Sequence, residues 1–157
     1  MSVKANKTIY FETNLNALPD DTAVLQAPDA KGSIVVAKPM QFGGKGNEWS
    51  PEHLFVGAIN SCFMITFQSF ADKLSCKPVH FECKTIGKIE LSEGKWKFTQ
   101  ITISPKLIVE GHLAVGQALE VLDKTKKYCL IGNSTNAELL YVPEIVDVKT
   151  MAEPIKC

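Results

Sequence analysis

The feature that most constrains this chain is a long apolar segment that follows a strong helix-start signal. Ser50, Pro51 and Glu52 supply an N-cap side chain, a proline at the first helical position and an acidic residue in the first turn. These signals predict a helix over residues 51–73, in which Gly57 is the single helix breaker. Apolar residues cover most of its surface, at positions 54, 55, 56, 58, 59, 62, 63, 64, 65, 67, 70 and 71.

A helix that is apolar nearly all round is expected to be buried on every side. The chain has 157 residues, a length typical of one domain. A domain of this size has few elements with which to surround such a helix. We therefore expect a sheet to cover one face of the helix and a second subunit to cover the other.

The segments on both sides of the helix predict β-structure and one further helix. β-Branched and aromatic residues indicate strands, and polar turn residues such as Asn14 and Asn16 separate them. Pro143 interrupts the last strand, which favours a sheet edge for it. The order of elements predicts a single α+β domain over residues 1–157. Its predicted elements are N-terminal strands within 7–40 (7–13, near 22–26, and 33–38), the central helix 51–73, a hairpin over 79–109, a second helix 112–127 and a final strand 139–149.

The charge balance and the cysteine content exclude several classes of protein. The 17 basic residues, all lysines, equal the 17 acidic ones, so the chain has no basic excess with which to bind nucleic acid. No uninterrupted apolar run reaches the ~18 residues of a membrane helix, and the N-terminal residues do not look like a signal peptide. We therefore expect a cytoplasmic protein without a membrane partner. Its five cysteines are expected to be reduced rather than paired in a disulfide scaffold.

Two of the cysteines stand out by their position. Cys62 lies inside the apolar helix, and Cys129 follows a lysine-rich helix end and precedes a polar loop. A free cysteine most often packs as a small apolar residue, and this interpretation of Cys62 stays open. At Cys129 the nearby lysines either favour the thiolate or complement the helix dipole. Cys83 is expected in the core, while Cys76 and Cys157 have no neighbours that imply chemistry.

The remaining polar motifs favour neither a cofactor nor a metal site. The three histidines, at positions 53, 80 and 112, lie on different predicted elements and lack metal-ligand spacing. The glycine loop at 43–46 lacks the pattern of a phosphate-binding loop and indicates a flexible lid or a plain turn. We therefore expect no bound cofactor and no metal.

The start of the long helix resembles a motif of the OsmC/Ohr family, the thiol peroxidases similar to osmotically inducible protein C. In that family a helix opens with Pro-Glu-x-Leu and carries a cysteine ten residues after the glutamate. Here Pro51-Glu52-His53-Leu54 opens the helix, and Cys62 follows Glu52 by ten residues. The match therefore places Glu52 and Cys62 at the family's two helix positions.

A second motif of the same family follows the lysine-rich helix. In the family it is a cysteine followed by Pro-x-Ser-Asn. Cys129 and Asn133 match it, whereas Leu130 and Gly132 stand in place of the proline and the serine. Together with the order of elements, the resemblance covers residues 33–149.

The resemblance implies both a fold and a chemistry. Antiparallel sheets would wrap around a long buried central helix in an intertwined homodimer. Cys62 would be the peroxidatic thiolate that becomes a sulfenic acid, and Cys129 would resolve it as a disulfide. An external dithiol of the lipoyl type would reduce the disulfide. The apolar residues around Cys62 favour organic hydroperoxides as substrates, an activity of oxidative-stress defence.

The same resemblance gives Glu52 a catalytic role beside Cys62. A straight helix would place Glu52 about 15 Å along the axis from Cys62. A Glu52 that serves Cys62 would therefore come from the other subunit. An antiparallel pair of these helices would create two composite sites per dimer.

The chain departs from the family at the arginine that pairs with the glutamate and orients the peroxide, because it contains no arginine. Lys45 and Lys38 are the candidates to replace it, although an ammonium group lacks the bidentate fork of a guanidinium. The missing arginine keeps a second function open, either a non-peroxidatic redox sensor or a binding protein for a small apolar ligand. A dimeric α+β domain with two inert buried thiols is a third possibility.

Overall fold

A computed structural model of the chain describes residues 8–151, the last two by their backbone alone. The chain forms two compact units, one ending at Leu54 and one beginning at Phe55. The long helix α1 (Pro51–Lys73) begins in the first unit and extends into the second. That the whole chain forms a single domain stays a prediction.

The first unit is built on a three-stranded antiparallel sheet whose second strand lies in the middle. Asp20 shapes the first turn, because its carboxylate accepts hydrogen bonds from the hydroxyl of Thr22 at 2.7 Å and from its N–H at 3.3 Å. A 3₁₀ turn at Met40–Phe42 follows the sheet and leads into the glycine loop. The strands are β1 (Asn14–Ala17), β2 (Thr22–Gln26) and β3 (Ile34–Ala37).

The predicted strand at 7–13 is wrong over its described part, because residues 8–13 form no strand; residue 7 lies outside the described residues. The sheet begins instead at Asn14. Asn14 and Asn16, which were expected in a turn, both pair with β2. Composition indicates where a strand is favourable, but hydrogen bonding to a partner strand decides where it begins. Tyr10 and Phe11, ahead of that pairing, are 88% and 85% exposed.

The start of α1 is fixed by two reciprocal hydrogen bonds. The hydroxyl of buried Ser50 accepts the N–H of His53 at 3.3 Å, and the N–H of Ser50 donates to Nδ1 of His53 at 3.2 Å. This is a capping box in which histidine takes the position usual for Glu or Gln. The ring of Trp49 meets the same imidazole edge-on, with 6.2 Å between the centroids. These local contacts explain why α1 spans the residues that the sequence indicates.

Within one chain, α1 is buried along one stripe rather than on every side. Ile59, Phe63, Phe67 and Ala71 recur at every fourth residue and are buried. On another face, Ile65 is 58% exposed. By length and composition α1 would also suffice to cross a membrane, and 22% of its apolar window is buried within the chain. Cover by a second subunit stays a prediction.

The second unit is built on a long antiparallel hairpin of β4 (His80–Ser92) and β5 (Lys95–Val109). Glu93 and Gly94 form its turn with φ angles of 54° and 74°, the left-handed conformation that two-residue hairpin turns require. Alternate residues of β5 are buried, as the period of two predicts. They form one core with the buried stripe of α1.

The predicted final strand at 139–149 is wrong in its extent. The structure has two short strands there, β6 (Glu138–Tyr141) and β7 (Glu144–Asp147), followed by the helical turn α3 (Val148–Met151). Pro143 has no N–H to donate to a ladder, so the strand breaks at that residue. Both strands lie parallel to β5, so this sheet is mixed and not purely antiparallel as expected.

The helix α2 (His112–Tyr128) joins β5 to β6 and contacts the sheet. Oδ1 of Asp147 accepts the N–H of Gly111 at 2.7 Å and so ties the start of α2 to the end of β7. One face of α2 enters the same core as α1 and β5. The buried residues of α2 are Ala118, Val121, Leu122 and Thr125.

We expect Ser50→Ala to lower the free energy of unfolding by about 1 kcal/mol, because it removes the hydroxyl that caps α1. Equilibrium unfolding in urea, followed by circular dichroism, measures this loss. Ser69→Ala is the matched control, since Ser69 is an exposed serine of the same helix whose hydroxyl donates to the Ile65 carbonyl. Equal stabilities of the two variants would contradict the capping role.

Candidate active site

Two thiols from distant parts of the chain meet in the second unit. Cys62 lies on α1 directly before Phe63 of the buried stripe, and Cys129 is the C-cap of α2. The two side chains are hydrogen-bonded to each other. Cys129 is completely buried, whereas Cys62 is partly exposed. The pair therefore consists of one accessible sulfur and one sequestered sulfur.

The segment after Cys129 directs main-chain N–H groups at both sulfurs. The N–H of Ile131 donates to Sγ of Cys62, with 3.5 Å between nitrogen and sulfur. The N–H groups of Gly132 and Ile131 also donate to Sγ of Cys129. Asn133 holds the segment in place, because its N–H donates to the Cys129 carbonyl at 2.9 Å and its side chain to a carbonyl in the last turn of α2 at 2.9 Å.

Gly132 has a steric role beside Cys129. It is buried and begins a 3₁₀ turn, Gly132–Ser134. A Cβ atom at this position would lie 3.2 Å from Sγ of Cys129, closer than ordinary van der Waals contact. The glycine that replaces the serine of the family motif therefore leaves room for the sulfur.

Burial raises the pKa of the Cys129 thiol to about 11, partly offset by the Gly132 N–H, and the neighbouring Cys62 raises it further. At neutral pH, Cys129 therefore keeps its proton. The interpretation that nearby lysines favour a thiolate at Cys129 is wrong, because burial raises the pKa of this thiol above its ordinary value. Two of these lysines are also held by carboxylates on α2, in the ion pairs Lys124–Glu120 and Lys126–Asp123.

Aromatic and hydroxyl side chains border the two thiols. The ring of Tyr141 lies 6.0 Å from the ring of Phe63, measured between centroids. Burial raises the pKa of Tyr141, and Cys129 adds to this effect. The hydroxyl of Thr66, one turn after Cys62 on α1, lies 4.0 Å from the Cys62 sulfur. The surroundings of the pair are thus largely apolar, with few polar groups aimed at sulfur.

Glu52, Lys38 and Lys45 lie in the first unit. Oε2 of Glu52 is buried and accepts no hydrogen bond from the part of the chain that the structure describes. Glu52 and Lys38 line the same open cavity of about 470 Å³. Lys45 lines an adjoining cavity of about 670 Å³, which also contains Lys38, and interacts electrostatically with Asp20. Of these two lysines, Lys38 is therefore the one that lines a cavity together with Glu52.

The other described cysteines lie apart from this arrangement. Cys83 is half-buried and packs against the core, as expected, and burial raises its pKa. Cys76 is buried just after the end of α1, and burial raises its pKa as well. Cys157 lies outside the described residues. Neither Cys76 nor Cys83 shows a contact that implies chemistry.

Three residues that contact or face the thiols were not predicted from the sequence. Thr66 lies four residues after Cys62, and the helix period would have indicated this contact. Tyr141 reaches the site because β6 pairs with β5, which no local pattern shows. Ile131 contributes its main chain, so its side chain carries no signal at all.

Comparison with known proteins identifies the class to which this geometry belongs. A family model described as "OsmC-like protein" matches residues 44–140 of the chain. The chain belongs to the OsmC-like family, and the resemblance drawn from its two motifs is confirmed. Its architecture is accordingly the α+β OsmC-like fold.

Individual relatives agree with this assignment. The uncharacterized protein YmaD of Bacillus subtilis (strain 168) is 20% identical over 140 residues, which cover 86% of this chain and 92% of YmaD. The structure of an OsmC-like protein of unknown function, VCA0330 from Vibrio cholerae, has a TM-score of 0.76 at 18% identity and covers 88% of this chain and 100% of its own. The structure of an organic hydroperoxide resistance protein OsmC from Legionella pneumophila has a TM-score of 0.70 at 15% identity. The match covers 89% of this chain and 99% of the Legionella chain. At such identities the likeness shows the fold alone.

We expect Cys129 to ionise with a midpoint near pH 11 in the folded, reduced protein, against 9.0, the ordinary value, after unfolding in urea. The ultraviolet absorbance of the thiolate, taken as the difference between wild type and Cys129→Ser, measures both curves without a reagent that must reach the buried sulfur. Between these two pH values the unfolded chain loses a proton that the folded chain retains, so stability should fall as pH rises through this window. A midpoint near 9 in the folded protein would contradict the assigned pKa.

Proposed function

We propose that this protein is a two-cysteine peroxidase that reduces organic hydroperoxides in defence against oxidative stress. The observation that carries the proposal is the contact between Cys62, which is accessible, and Cys129, which is buried and protonated. The Legionella relative is described as an organic hydroperoxide resistance protein, which supports this substrate class.

In the first step, the Cys62 thiolate attacks the terminal oxygen of the hydroperoxide. The S–O bond forms while the O–O bond breaks, and Cys62 becomes a sulfenic acid. The alkoxide leaves and takes up a proton to become the alcohol. The apolar composition of α1 around Cys62 favours hydroperoxides with an alkyl or aryl group.

In the second step, Cys129 resolves the sulfenic acid. Its sulfur bonds to Sγ of Cys62, and the sulfenic hydroxyl leaves as water with the proton of the Cys129 thiol. The Cys129 thiol carries the proton that the leaving hydroxyl needs, and this proton transfers to the hydroxyl as the S–S bond forms. The two sulfurs are already in hydrogen-bond contact, so a short approach suffices.

The cycle closes by exchange with an external dithiol of the lipoyl type. The dithiol attacks the Cys62–Cys129 disulfide, restores both thiols and departs as its own disulfide. The protein needs no bound cofactor for this cycle. We also propose that the protein is cytoplasmic.

We propose further that the active form is a homodimer with two composite sites. Ile65 is exposed on a face of α1 that a second copy of the chain would cover in this arrangement. In this arrangement antiparallel α1 helices bring Glu52 of each chain to Cys62 of the other.

Lys38 is the cation that we propose in place of the missing arginine. It lines the same cavity as Glu52, whose buried Oε2 has no donor among the described residues. An ammonium acts as a point charge and cannot grip a carboxylate through two parallel hydrogen bonds. We therefore favour Lys38 over Lys45, which faces Asp20.

We expect Cys62→Ser to reduce the turnover of cumene hydroperoxide, with dihydrolipoamide as reductant, to the uncatalysed rate. Without added dithiol, Cys129→Ser should consume one equivalent of peroxide and accumulate the Cys62 sulfenic acid, because the chain offers it no resolving thiol. Cys83→Ser is the control, a half-buried thiol of the same unit that should leave turnover unchanged.

Turnover in Cys62→Ser at the wild-type rate would overturn the proposal. A wild-type protein that forms the Cys62–Cys129 bridge but never turns over would indicate the redox sensor instead. Full survival of all thiols after one equivalent of hydroperoxide would exclude both redox functions and leave a ligand-binding protein or a domain with two inert thiols.

We expect Lys38→Met to lower kcat/KM for the hydroperoxide by about tenfold or more, because it removes the charge that accompanies Glu52. Lys45→Met is the matched control, since Lys45 lines the adjoining cavity without Glu52. Steady-state kinetics over a range of peroxide concentrations measures both variants. Equal losses in the two variants, or a loss in Lys45→Met alone, would contradict the choice of Lys38.

A further inference from the structure

We infer that the main-chain N–H of Ile131 stabilises the thiolate of Cys62 and so takes over part of the work of a cationic side chain. The inference rests on the proposed role of Cys62 as the nucleophile. It assigns a function to the segment 130–133, which contains no charged residue. The donor is a main-chain N–H group, which every residue except proline has. Substitution of the Ile131 side chain can therefore leave the donor in place.

The conformation of the segment holds this N–H in position. Ile131 has φ −68° and ψ −40°, and its nitrogen lies 3.5 Å from Sγ of Cys62. Its carbonyl accepts the N–H of Ser134 at 3.1 Å, and the carbonyl of Cys129 accepts the N–H of Asn133 at 2.9 Å. The turn is therefore closed by its own hydrogen bonds, and the Ile131 N–H is aimed at sulfur.

Cys62 is the sulfur that gains from this donor. Cys129 lies within reach of the same N–H, but burial keeps it protonated at neutral pH. The Cys129 thiol therefore acts as a second donor, and Sγ of Cys62 receives hydrogens from both Cys129 and Ile131. Hydrogen bonds to an ionised acceptor are stronger than those to a neutral one, so both contacts favour the thiolate.

The third polar group near this sulfur contributes less. The hydroxyl of Thr66 lies 4.0 Å from Sγ of Cys62, at the outer limit for a hydrogen bond to sulfur. A hydroxyl can also rotate to accept instead of donating. A main-chain N–H can only donate, which makes the Ile131 contact specific for negative charge.

Ile131→Pro tests the inference, because proline fits the observed φ of −68° and removes the N–H. Ile131→Val is the matched control, which keeps the N–H and a branched side chain. At pH 7, alkylation of Cys62 by iodoacetamide should be about tenfold slower in Ile131→Pro than in wild type, and nearly unchanged in Ile131→Val. Peptide mapping of the reduced protein assigns the rate to Cys62.

Equal alkylation rates in the two variants would overturn the inference. Alkylation needs no peroxide, so this result is independent of the proposed function. Slow alkylation in Ile131→Pro, together with a wild-type protein that consumes no hydroperoxide, would support the inference and overturn the peroxidase.

A second measurement leaves the backbone unaltered and decides the matter if Ile131→Pro does not fold. In protein labelled with ¹⁵N-isoleucine, the amide proton signal of Ile131 should move downfield as Cys62 ionises, because its hydrogen bond to sulfur strengthens. The movement should vanish in Cys62→Ala. An Ile131 signal that responds neither to the ionisation of Cys62 nor to the substitution Cys62→Ala would overturn the inference.

Discussion

The packing of α1 against β5 and α2 is the interaction on which the second unit and its thiol pair depend. Phe63 and Phe67 of α1 share one core with Ile101 and Ile103 of β5, and all four are buried. Each such side chain contributes about 1.5–3 kcal/mol through burial. Cys129 belongs to this core, and Cys62 precedes Phe63 in sequence. Both sulfurs are therefore positioned by the same apolar contacts that stabilise the unit.

This packing gives the two thiols different chemistry. Burial of Cys129 disfavours its thiolate, because a low-dielectric surrounding penalises charge, and the resulting pKa of about 11 keeps its proton in place. Cys62 is partly exposed and receives hydrogen-bond donors. The proposed reaction requires an attacking sulfur that is accessible and accepts hydrogen bonds. It also requires a resolving thiol that donates a proton, and this thiol can be buried. Burial and hydrogen bonding therefore support the proposed roles of the two thiols, which the resemblance to the family suggested.

Sequence patterns predicted the parts of this protein that depend on neighbouring residues. Ser50 and Pro51 adjoin the helix that they start, so the bounds of α1 needed no tertiary information. The strand expected at 7–13 and the single strand at 139–149 were wrong because pairing with other strands decides such ends. The resemblance to the family, rather than spacing, connected Cys62 with Cys129. The direction in which the pKa of Cys129 is shifted could not be predicted from the sequence. Lysines neighbour Cys129 along the chain, whereas apolar groups surround it in space.

Closure of a disulfide would require the two sulfurs to approach from hydrogen-bond contact to a bond length of about 2.05 Å. Because Cys129 and the buried stripe of α1 belong to the same core, the approach falls to rotation of the two cysteine side chains. Gly132 leaves the necessary space, since a Cβ atom there would lie 3.2 Å from Sγ of Cys129 and oppose its rotation. The same segment carries the N–H of Ile131, which donates to the Cys62 thiolate. Oxidation of Cys62 removes the negative charge of this acceptor. In the proposed cycle, one segment therefore stabilises the attacking sulfur before the reaction and leaves room for the resolving sulfur during it.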